Sequence, residues 1–367
     1  MKSLVRQLEL LLRHAVTYPI LRLFFRNHPH DGAIRLTSVR RLLILRYDRI
    51  GDIVVTTPVF RRLKELHPDL YLGVLASQSN AALIKGNPFI DQIHALPARW
   101  RHYPSWLKAV RKEEYDVVLN FIFNRTTSGG VLANLAAPKA IKVGQGAEKY
   151  RFYFNKLLTL NRGKSHMSEV LMQYVNQVFE LEAPAEMPRF ELYVGAEAER
   201  YIRQFVAEGL SSAGKDGYVV LNISAAEPER TLSEHQSKAL AQILALDCQQ
   251  SVAVISAPGD AKTRKAVVAA AGSVCKEFPP EGTTDLLTVA ALIRSAKCVV
   301  TPDTSIIHIA SAVQTPVLGF YTPLRVTKEW MPHGVKCDIV LAEEGAPVSS
   351  IPVEVLKERT KNFLATI

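Results

Sequence analysis

The amino-acid sequence predicts an α/β protein built as two lobes that face a cleft. Strand-like apolar runs alternate with helical patterns, and the alternation occurs twice, on either side of a proline-containing segment at 183–188. This rhythm is typical of mostly parallel sheets with helices on both faces. A length of 367 residues allows two such cores. Because ligand pockets prefer domain interfaces, we expect the functional site in the cleft.

The first half of the chain carries five predicted strands and five predicted helices. The strands are expected at 42–46, 70–76, 92–96, 115–121 and 141–144. The helices are expected at 52–66, 77–85, 103–113 and 126–136, with a longer one at 166–180 just before the proline-containing segment. Short turns join them, as expected for a parallel sheet whose crossovers are helices.

The second half repeats this pattern. Strands are expected at 218–222, 251–256, 298–301 and 317–320, and helices at 233–246, 260–271, 285–295, 305–313 and 350–367. We therefore divide the chain into a basic amphipathic N-terminal segment (1–40), a first lobe (41–185), a second lobe (186–345) and a C-terminal helix (346–367). Ser350 is the candidate N-cap of that helix. The sequence leaves open whether the helix packs back on the first lobe.

The chain is basic, with a net charge of +10, which favours phosphates, nucleic acid or an anionic membrane as partners. Residues 1–41 contribute +6 of this charge, and apolar residues recur there at helical spacing. Such a segment either lies in a membrane interface or packs on the protein's own surface. The apolar positions are Leu4, Leu8, Leu11, Leu12 and Ala15. No apolar run reaches the roughly 18 residues of a membrane span. No small-residue cleavage site follows an apolar core, so we do not expect a secretory signal. No nucleic-acid reader motif is evident, so we do not expect nucleic acid as a partner.

Four cysteines lie too far apart in sequence for a zinc motif or a disulfide framework: Cys248, Cys275, Cys298 and Cys337. We expect buried free thiols in a reducing compartment, the cytoplasm. His166 and Glu169 have HxxE spacing, but no further ligand lies nearby in sequence, so no metal site is expected.

The first motif is a polar turn after the strand at 42–46. It carries Asp48, Gly51 and Asp52 and leads into a helical pattern. In an open α/β sheet, ligands bind outside the carboxyl ends of the strands, so two carboxylates in this turn suggest acid–base chemistry. The structural alternative is a helix start, with Asp52 as N-cap or first-turn acid and Pro58 inside the helix.

The second motif follows the strand at 298–301. Asp303, Thr304 and Ser305 precede or open a helix that carries His308, and such a helix start is a natural phosphate site. Asp303 would be repelled by phosphate, so we expect it to bind a sugar hydroxyl or a backbone N–H. The structural alternative is capping by Asp303 or Thr304, with His308 as a satisfied histidine near the core.

Other nucleotide signatures are missing, since the chain has neither a GxGxxG turn after a strand nor a GxxxxGK[ST] loop. No GxSxG or Cys/His arrangement indicates covalent catalysis. Asp260 follows a further strand-to-helix turn, where it would hold a ribose hydroxyl or simply cap the helix.

Taken together, residues 45–68 and 301–323 resemble glycosyltransferase family 9, whose best-known members are ADP-heptose:lipopolysaccharide heptosyltransferases. Segments at 143–152 and 257–260 and the helix from 166 fall where the family has similar segments. The resemblance implies a GT-B architecture, with two Rossmann-like lobes, and an inverting, metal-independent reaction without a cofactor. It makes Asp52 the catalytic base and places Asp303, Thr304, Ser305 and His308 at the donor, while Asp48 shapes the turn.

The chain departs from the family pattern at two positions. Ser305 stands where the family usually has glycine, and Glu229 stands where it typically has lysine, although Arg230 offers a positive charge one residue later. Ser224 and Asp260 complete the predicted donor site.

The resemblance implies ADP-heptose as donor and a lipid-linked saccharide, such as the lipopolysaccharide core, as acceptor. An anionic membrane surface is a further candidate partner, which would make the protein cytoplasmic and peripheral on the inner face of the cytoplasmic membrane. The alternatives are a catalytically impaired protein that binds a sugar nucleotide, or a GT-B enzyme that uses a different nucleotide sugar.

Overall fold

The computed structural model describes residues 17–123, 126–210, 217–282, 284–323 and 327–367. Within these ranges, two six-stranded parallel sheets form the centres of two lobes, with helices packed on them. The predicted α/β fold class is confirmed. The inner strands of both sheets are almost fully buried and mostly apolar, as parallel sheets covered on both faces require.

The first lobe contains the sheet β3-β2-β1-β4-β5-β6. Its strands are β1 Arg41–Leu45, β2 Tyr71–Ala76, β3 Gln92–Ala95, β4 Val117–Asn120, β5 Ile141–Gln145 and β6 Lys156–Leu158. Its helices are α1 Tyr18–Phe24, α2 Ile50–Val54, α3 Thr57–Leu66, α4 Gln78–Leu83, α5 Tyr103–Lys112, α6 Thr126–Ala136 and α7 Met167–Phe179.

The second lobe repeats the same topology with the order β12-β11-β10-β7-β8-β9. Its strands are β7 Tyr218–Asn222, β8 Ser251–Ile255, β9 Cys275–Phe278, β10 Cys298–Pro302, β11 Val317–Tyr321 and β12 Cys337–Leu341. Its helices are α8 Ala196–Gly209, α9 Glu234–Gln242, α10 Ala261–Ala271, α11 Leu286–Arg294, α12 Ser305–Ala312 and α13 Val353–Thr366. The strand order reverses between β1 and β4 in the first sheet and between β7 and β10 in the second. Folds of this kind bind ligands at such reversal points.

All nine predicted strands form, with ends that shift by at most two residues. The three strands that the sequence did not reveal, β6, β9 and β12, are sheet edges with mixed polar and apolar side chains. An edge strand needs no continuous apolar run, so its periodic signal is weak. The charged helix α8 was also missed.

Two predictions about helix ends are wrong. The helix expected at 52–66 is divided into α2 and α3, and Pro58 lies in the first turn of α3 rather than inside a helix. Proline lacks an N–H and its ring clashes with the carbonyl four residues earlier, so one continuous helix is disfavoured. The N-cap of α13 is Pro352 rather than Ser350.

Within the part of the chain that the structure describes, the C-terminal helix packs on the second lobe. Leu356, Phe363 and Leu364 of α13 join the apolar cluster under the second sheet, together with Val219 and Leu221 of β7. The boundary placed at 185 stays a prediction, although the strands of the two sheets lie within 41–158 and 218–341.

The N-terminal segment is described only from residue 17 onward, so the leucines at positions 4 to 12 and Ala15 lie outside the described residues. Residues near its end belong to the first lobe, because Ile34, Leu36 and Val39 are buried in its core. In the described ranges no helix is both long and apolar enough to cross a membrane. The four cysteines are free thiols; Cys275 and Cys298 are buried as expected, but Cys337 is exposed.

Candidate active site

A cleft of about 1230 Å³ lies between the carboxyl edges of the two sheets. Both predicted motifs face it. Nine of the ten candidate residues line the cleft: Asp48, Gly51, Asp52, Ser224, Arg230, Asp303, Thr304, Ser305 and His308. The tenth, Asp260, accepts a hydrogen bond of 2.5 Å from the Ser224 hydroxyl and is not part of the cleft wall. The cleft is large enough for a ligand of nucleotide-sugar size.

Asp52 lies in the first turn of α2 with its carboxylate mostly buried at the floor of the cleft. One oxygen accepts a hydrogen bond from the Arg49 backbone N–H at 3.2 Å, and the other forms an ion pair of 3.0 Å with Arg46. The helix-start interpretation is therefore correct in position, since Asp52 is a first-turn acid rather than the N-cap. The same carboxylate also lines the cleft, so the two interpretations of Asp52 are compatible.

Arg46 is a fully buried guanidinium that organises the turn after β1. It donates to the Asp52 carbonyl at 3.0 Å, to the Thr56 hydroxyl at 3.1 Å and to the Phe121 carbonyl at 2.5 Å. It also binds the Asp48 carboxylate at 3.1 Å, which places Asp48 in the structure of the turn. A planar fork with five donors suits this role better than a lysine would.

Gly51 brings the two lobes into direct contact. A Cβ atom at this position would lie 2.6 Å from Cδ2 and 3.3 Å from Nε2 of His308, which belongs to α12 of the second lobe. Only a residue without a side chain permits this approach. The turn that carries Asp52 and the helix that carries His308 are thus packed against each other.

We expect Gly51→Ala to destabilise the protein by about 1–3 kcal/mol, because the added methyl group overpacks the interface. Trp330 and His166 pack around His308 and limit its freedom to move away. Urea unfolding measures the loss. Gly259→Ala is the matched control, since a Cβ there would meet nothing within 4 Å. Equal stability of the two variants would contradict the tight contact.

The start of α12 is held by a network of short polar side chains. Thr304 is the N-cap, and its hydroxyl accepts from the Ile306 N–H at 3.2 Å. The amide of Asn222, at the end of β7, donates to the hydroxyls of Thr301 at 2.9 Å and Thr304 at 3.2 Å. The capping alternative is therefore right for Thr304. A rigid helix start presents its N–H groups and its dipole to the cleft, where an anion would be stabilised.

Asp303 pairs with Arg230 at 2.9 Å, a partner that the sequence did not predict, while its expected contact with a sugar hydroxyl stays a prediction. Burial raises the pKa of the Asp303 carboxyl, and the nearby Arg230 guanidinium opposes this rise. Arg230 lines the cleft, whereas Glu229 is exposed and does not. The positive charge that the family pattern places one residue earlier is thus available in the cleft from Arg230.

His308 is buried beside two further histidines. Its ring lies 6.4 Å from that of His166, which lies 4.8 Å from that of His333. Burial lowers the pKa of His308 to about 4 and, together with the two neighbouring histidines, that of His166 to about 3. The two ring nitrogens of His166 bind the Ser168 hydroxyl and the Met331 carbonyl, which leaves neither free for a metal.

These buried histidines predict sensitivity to acid. Below pH 6.5 the unfolded chain protonates both residues while the folded protein does not, so the free energy of unfolding decreases as the pH falls from about 6.5 toward 4. The slope is at most about 1.4 kcal/mol per pH unit for each histidine. Urea unfolding at several pH values measures it. His308→Gln should flatten the slope, and exposed His235→Gln should leave it unchanged; identical slopes would contradict the assignment.

Two ion pairs join the lobes near the cleft. Glu329 is fully buried and binds the Arg162 guanidinium at 2.8 Å and the Gly163 N–H at 2.6 Å. At the more exposed pair, Arg49 of the first lobe binds Glu227 of the second at 2.7 Å. Sequence reasoning did not identify these residues or Arg46. Only Arg46 had a signal, as a charged residue directly after an apolar run.

Comparison with known proteins agrees with this architecture. The pattern of glycosyltransferase family 9 (heptosyltransferase) matches residues 104–351. The lipopolysaccharide core heptosyltransferase OpsX of Haemophilus influenzae is 23% identical over 346 residues, which covers 89% of this chain and 93% of OpsX.

Two solved structures share the fold. A family 9 glycosyltransferase from Veillonella parvula superposes with a TM-score of 0.77 at 18% identity, covering 91% of this chain and 99% of that one. The Escherichia coli heptosyltransferase WaaC, solved with ADP-2-deoxy-2-fluoro heptose, superposes with a TM-score of 0.67 at 18% identity, covering 88% and 99%. The family pattern spans well over half of the chain, which therefore belongs to glycosyltransferase family 9 and is a glycosyltransferase.

Proposed function

We propose that the protein is an inverting, metal-independent heptosyltransferase. It would move heptose from ADP-heptose onto a saccharide of the lipopolysaccharide core or a related lipid-linked acceptor. The observation that carries the proposal is the juxtaposition of Asp52 and the start of α12 across one cleft, with Gly51 against His308. A carboxylate on one wall and an anion-stabilising helix start on the other are what this reaction needs.

In the proposed step, an acceptor hydroxyl attacks the anomeric carbon of the donor sugar. Its proton passes to the Asp52 carboxylate as the new C–O bond forms. The bond between the anomeric carbon and the diphosphate oxygen breaks, and its electron pair leaves with the nucleoside diphosphate. Attack from the face opposite the leaving group inverts the anomeric centre. General base catalysis of this kind contributes about 10²–10⁴-fold.

The second lobe stabilises the departing diphosphate. Charge develops there as the bond breaks, and preorganised donors and cations lower the energy of that state. The start of α12 at Ser305 and the Arg230 guanidinium both line the cleft on this side. Asp303 holds Arg230 in place at 2.9 Å and thus orients the cation toward the donor.

ADP-heptose is the donor that the relatives favour. WaaC has been solved with an ADP-heptose analogue, and OpsX is a lipopolysaccharide core heptosyltransferase. The free cysteines suit a reducing compartment, so we place the reaction in the cytoplasm.

The experiment that tests the proposal is a transfer assay preceded by a thermal-shift screen of ADP-, UDP- and GDP-sugars. We expect stabilisation by ADP-heptose above the other nucleotide sugars, transfer to a lipopolysaccharide-core saccharide, and full activity in EDTA. Preference for a UDP- or GDP-sugar would contradict the donor assignment. Loss of activity in EDTA that added metal restores would contradict metal independence.

Arg230→Ala is expected to weaken ADP binding by about 10–100-fold, since a hydrogen bond to a charged group contributes roughly 1.5–3 kcal/mol. Titration calorimetry with ADP measures the change. Glu229→Ala is the matched control, because its side chain is exposed outside the cleft, and it should bind ADP like the unchanged protein. A larger effect at Glu229 than at Arg230 would contradict the placement of the charge.

The alternative of a catalytically impaired protein rested on Glu229 at the lysine position. Arg230 lines the cleft and Glu229 is absent from its described lining, so the exchange at position 229 does not by itself favour that alternative.

A further inference from the structure

The short helix α1 carries three exposed apolar side chains on the first lobe. Ile20, Leu23 and Phe24 are 48%, 66% and 75% exposed. The opposite side of the helix is fixed to the lobe through Tyr18, which is buried and packs against the rings of Tyr150 and Phe152. Because α1 is anchored in this way, its apolar side faces solvent in a defined direction.

A second apolar group on the same lobe is Trp100, in a one-turn 3₁₀ helix between β3 and α5. Its side chain is 86% exposed, the highest value among the large apolar residues of the described chain. Tryptophan combines a large apolar body with one polar N–H and is enriched where proteins meet the membrane–water interface. We call Ile20, Leu23, Phe24 and Trp100 the apolar rim.

The surroundings of the apolar rim are cationic. Residues 17–30, around α1, contain two arginines and no acidic residue. Residues 97–112, around Trp100, contain five lysines and arginines and again no acidic residue. Arg22, Arg26, Arg99 and Arg101 are exposed. Exposed apolar side chains within two segments of positive net charge complement an anionic lipid surface.

Trp100 and Tyr18, the first residue of α1, lie near the carboxyl edge of the first sheet, where the cleft opens. Trp100 follows the carboxyl end of β3, on one side of the turn after β1. On the other side, α1 packs on residues that follow β4 and β5, with the Tyr18 hydroxyl 3.2 Å from that of Thr127 at the start of α6. Since β1 lies between β2 and β4, the turn that carries Asp52 is flanked by Trp100 and Tyr18.

We propose that the apolar rim docks on an anionic lipid bilayer and sets the orientation of the first lobe on it. Leu23, Phe24 and Trp100 insert between headgroups, and the arginines bind lipid phosphates. The bilayer then lies beside the side of the cleft that holds Asp52, so a lipid-linked acceptor reaches it without leaving the membrane. This orienting role rests on the proposed function, whereas docking itself does not.

The test is co-sedimentation of the full chain with vesicles of phosphatidylglycerol and phosphatidylcholine. We expect binding that increases with anionic lipid and weakens with salt. Leu23→Ser/Phe24→Ser and Trp100→Ser should each weaken it by about tenfold or more, because the lost apolar area no longer leaves water. Arg99→Gln/Arg101→Gln should weaken it by about fivefold per charge. Leu246→Ser is the matched control. Leu246 is 63% exposed but lies just before the start of β8, at the amino ends of the strands of the second sheet and away from the cleft.

Transfer to a water-soluble acceptor without lipid should be unchanged in the rim variants, which shows that they fold. The proposal is overturned if the unchanged protein does not sediment with anionic vesicles, or if rim variants bind like Leu246→Ser. It is also overturned if those substitutions dissociate a dimer instead, since a second copy would then cover the rim. Vesicle binding without transfer from any nucleotide sugar would support docking and overturn the proposed function.

Discussion

Asp52→Asn is expected to slow sugar transfer by about 10²–10⁴-fold with little change in donor affinity. Asparagine keeps the shape of the side chain and an oxygen for Arg46, but its amide cannot take the proton of the acceptor hydroxyl. In the proposed complex the donor binds on the opposite wall, which Arg230 and the start of α12 line, so ADP binding should be retained. Initial rates at saturating donor, with calorimetry for ADP, separate the two effects.

Asp48→Asn is the matched control for this variant. Asp48 lies in the same turn and also binds Arg46, at 3.1 Å, but its proposed role is structural. We expect its transfer rate to stay within about tenfold of that of the unchanged enzyme. A less well-held turn would raise the activation free energy by only roughly 1 kcal/mol. Comparable losses at the two positions would contradict the assignment of the base, and so would full transfer by Asp52→Asn.

Arg46→Met is expected to have the largest effect on stability, about 3–5 kcal/mol, because it removes one partner of a buried ion pair. The Asp52 carboxylate and the Phe121 carbonyl would lose the donors that Arg46 supplies at 3.0 and 2.5 Å. Methionine fills similar space, so the loss would reflect the missing charge and hydrogen bonds. Urea unfolding, monitored by circular dichroism, gives the free energy.

Arg49→Met is the control for the removal of a cation from the same turn. The Arg49 side chain is 70% exposed and pairs with Glu227 at the surface, and exposed pairs contribute roughly 0–1 kcal/mol. A difference of less than about 1 kcal/mol between the two variants would mean that Arg46 does not organise the turn as its contacts indicate.

The central strands of both sheets could be predicted because they are buried on both faces. A strand in that position must be continuously apolar, as in β1 and β10, and the sequence carries this directly. The edge strands β9 and β12 alternate poorly and escaped prediction. Pro58 signalled that the helical pattern would be interrupted near this position. The sequence could not show the exact residue at which α3 begins, because that depends on tertiary packing.

For the site, the sequence revealed which residues follow central strands, and that placed Asp52 and His308 at the cleft. It could not reveal pairs formed between the lobes. Arg162 and Glu329 are 167 positions apart, and no local pattern links them. The partner of Asp303 was missed for a similar reason, since Arg230 reaches it only because β7 and β10 are neighbours in the sheet.

The contact between Gly51 and His308 has a consequence for chimeric enzymes. If the second lobe binds the donor as proposed, exchange of whole second lobes between family members is the simplest way to change the donor sugar. However, this contact packs the turn that carries Asp52 directly against the helix that carries His308. An incoming lobe with a bulkier ring at the position of His308 would push the turn away, and a smaller one would leave a void. Productive chimaeras should therefore carry residues 48–52 and 303–308 together from one parent.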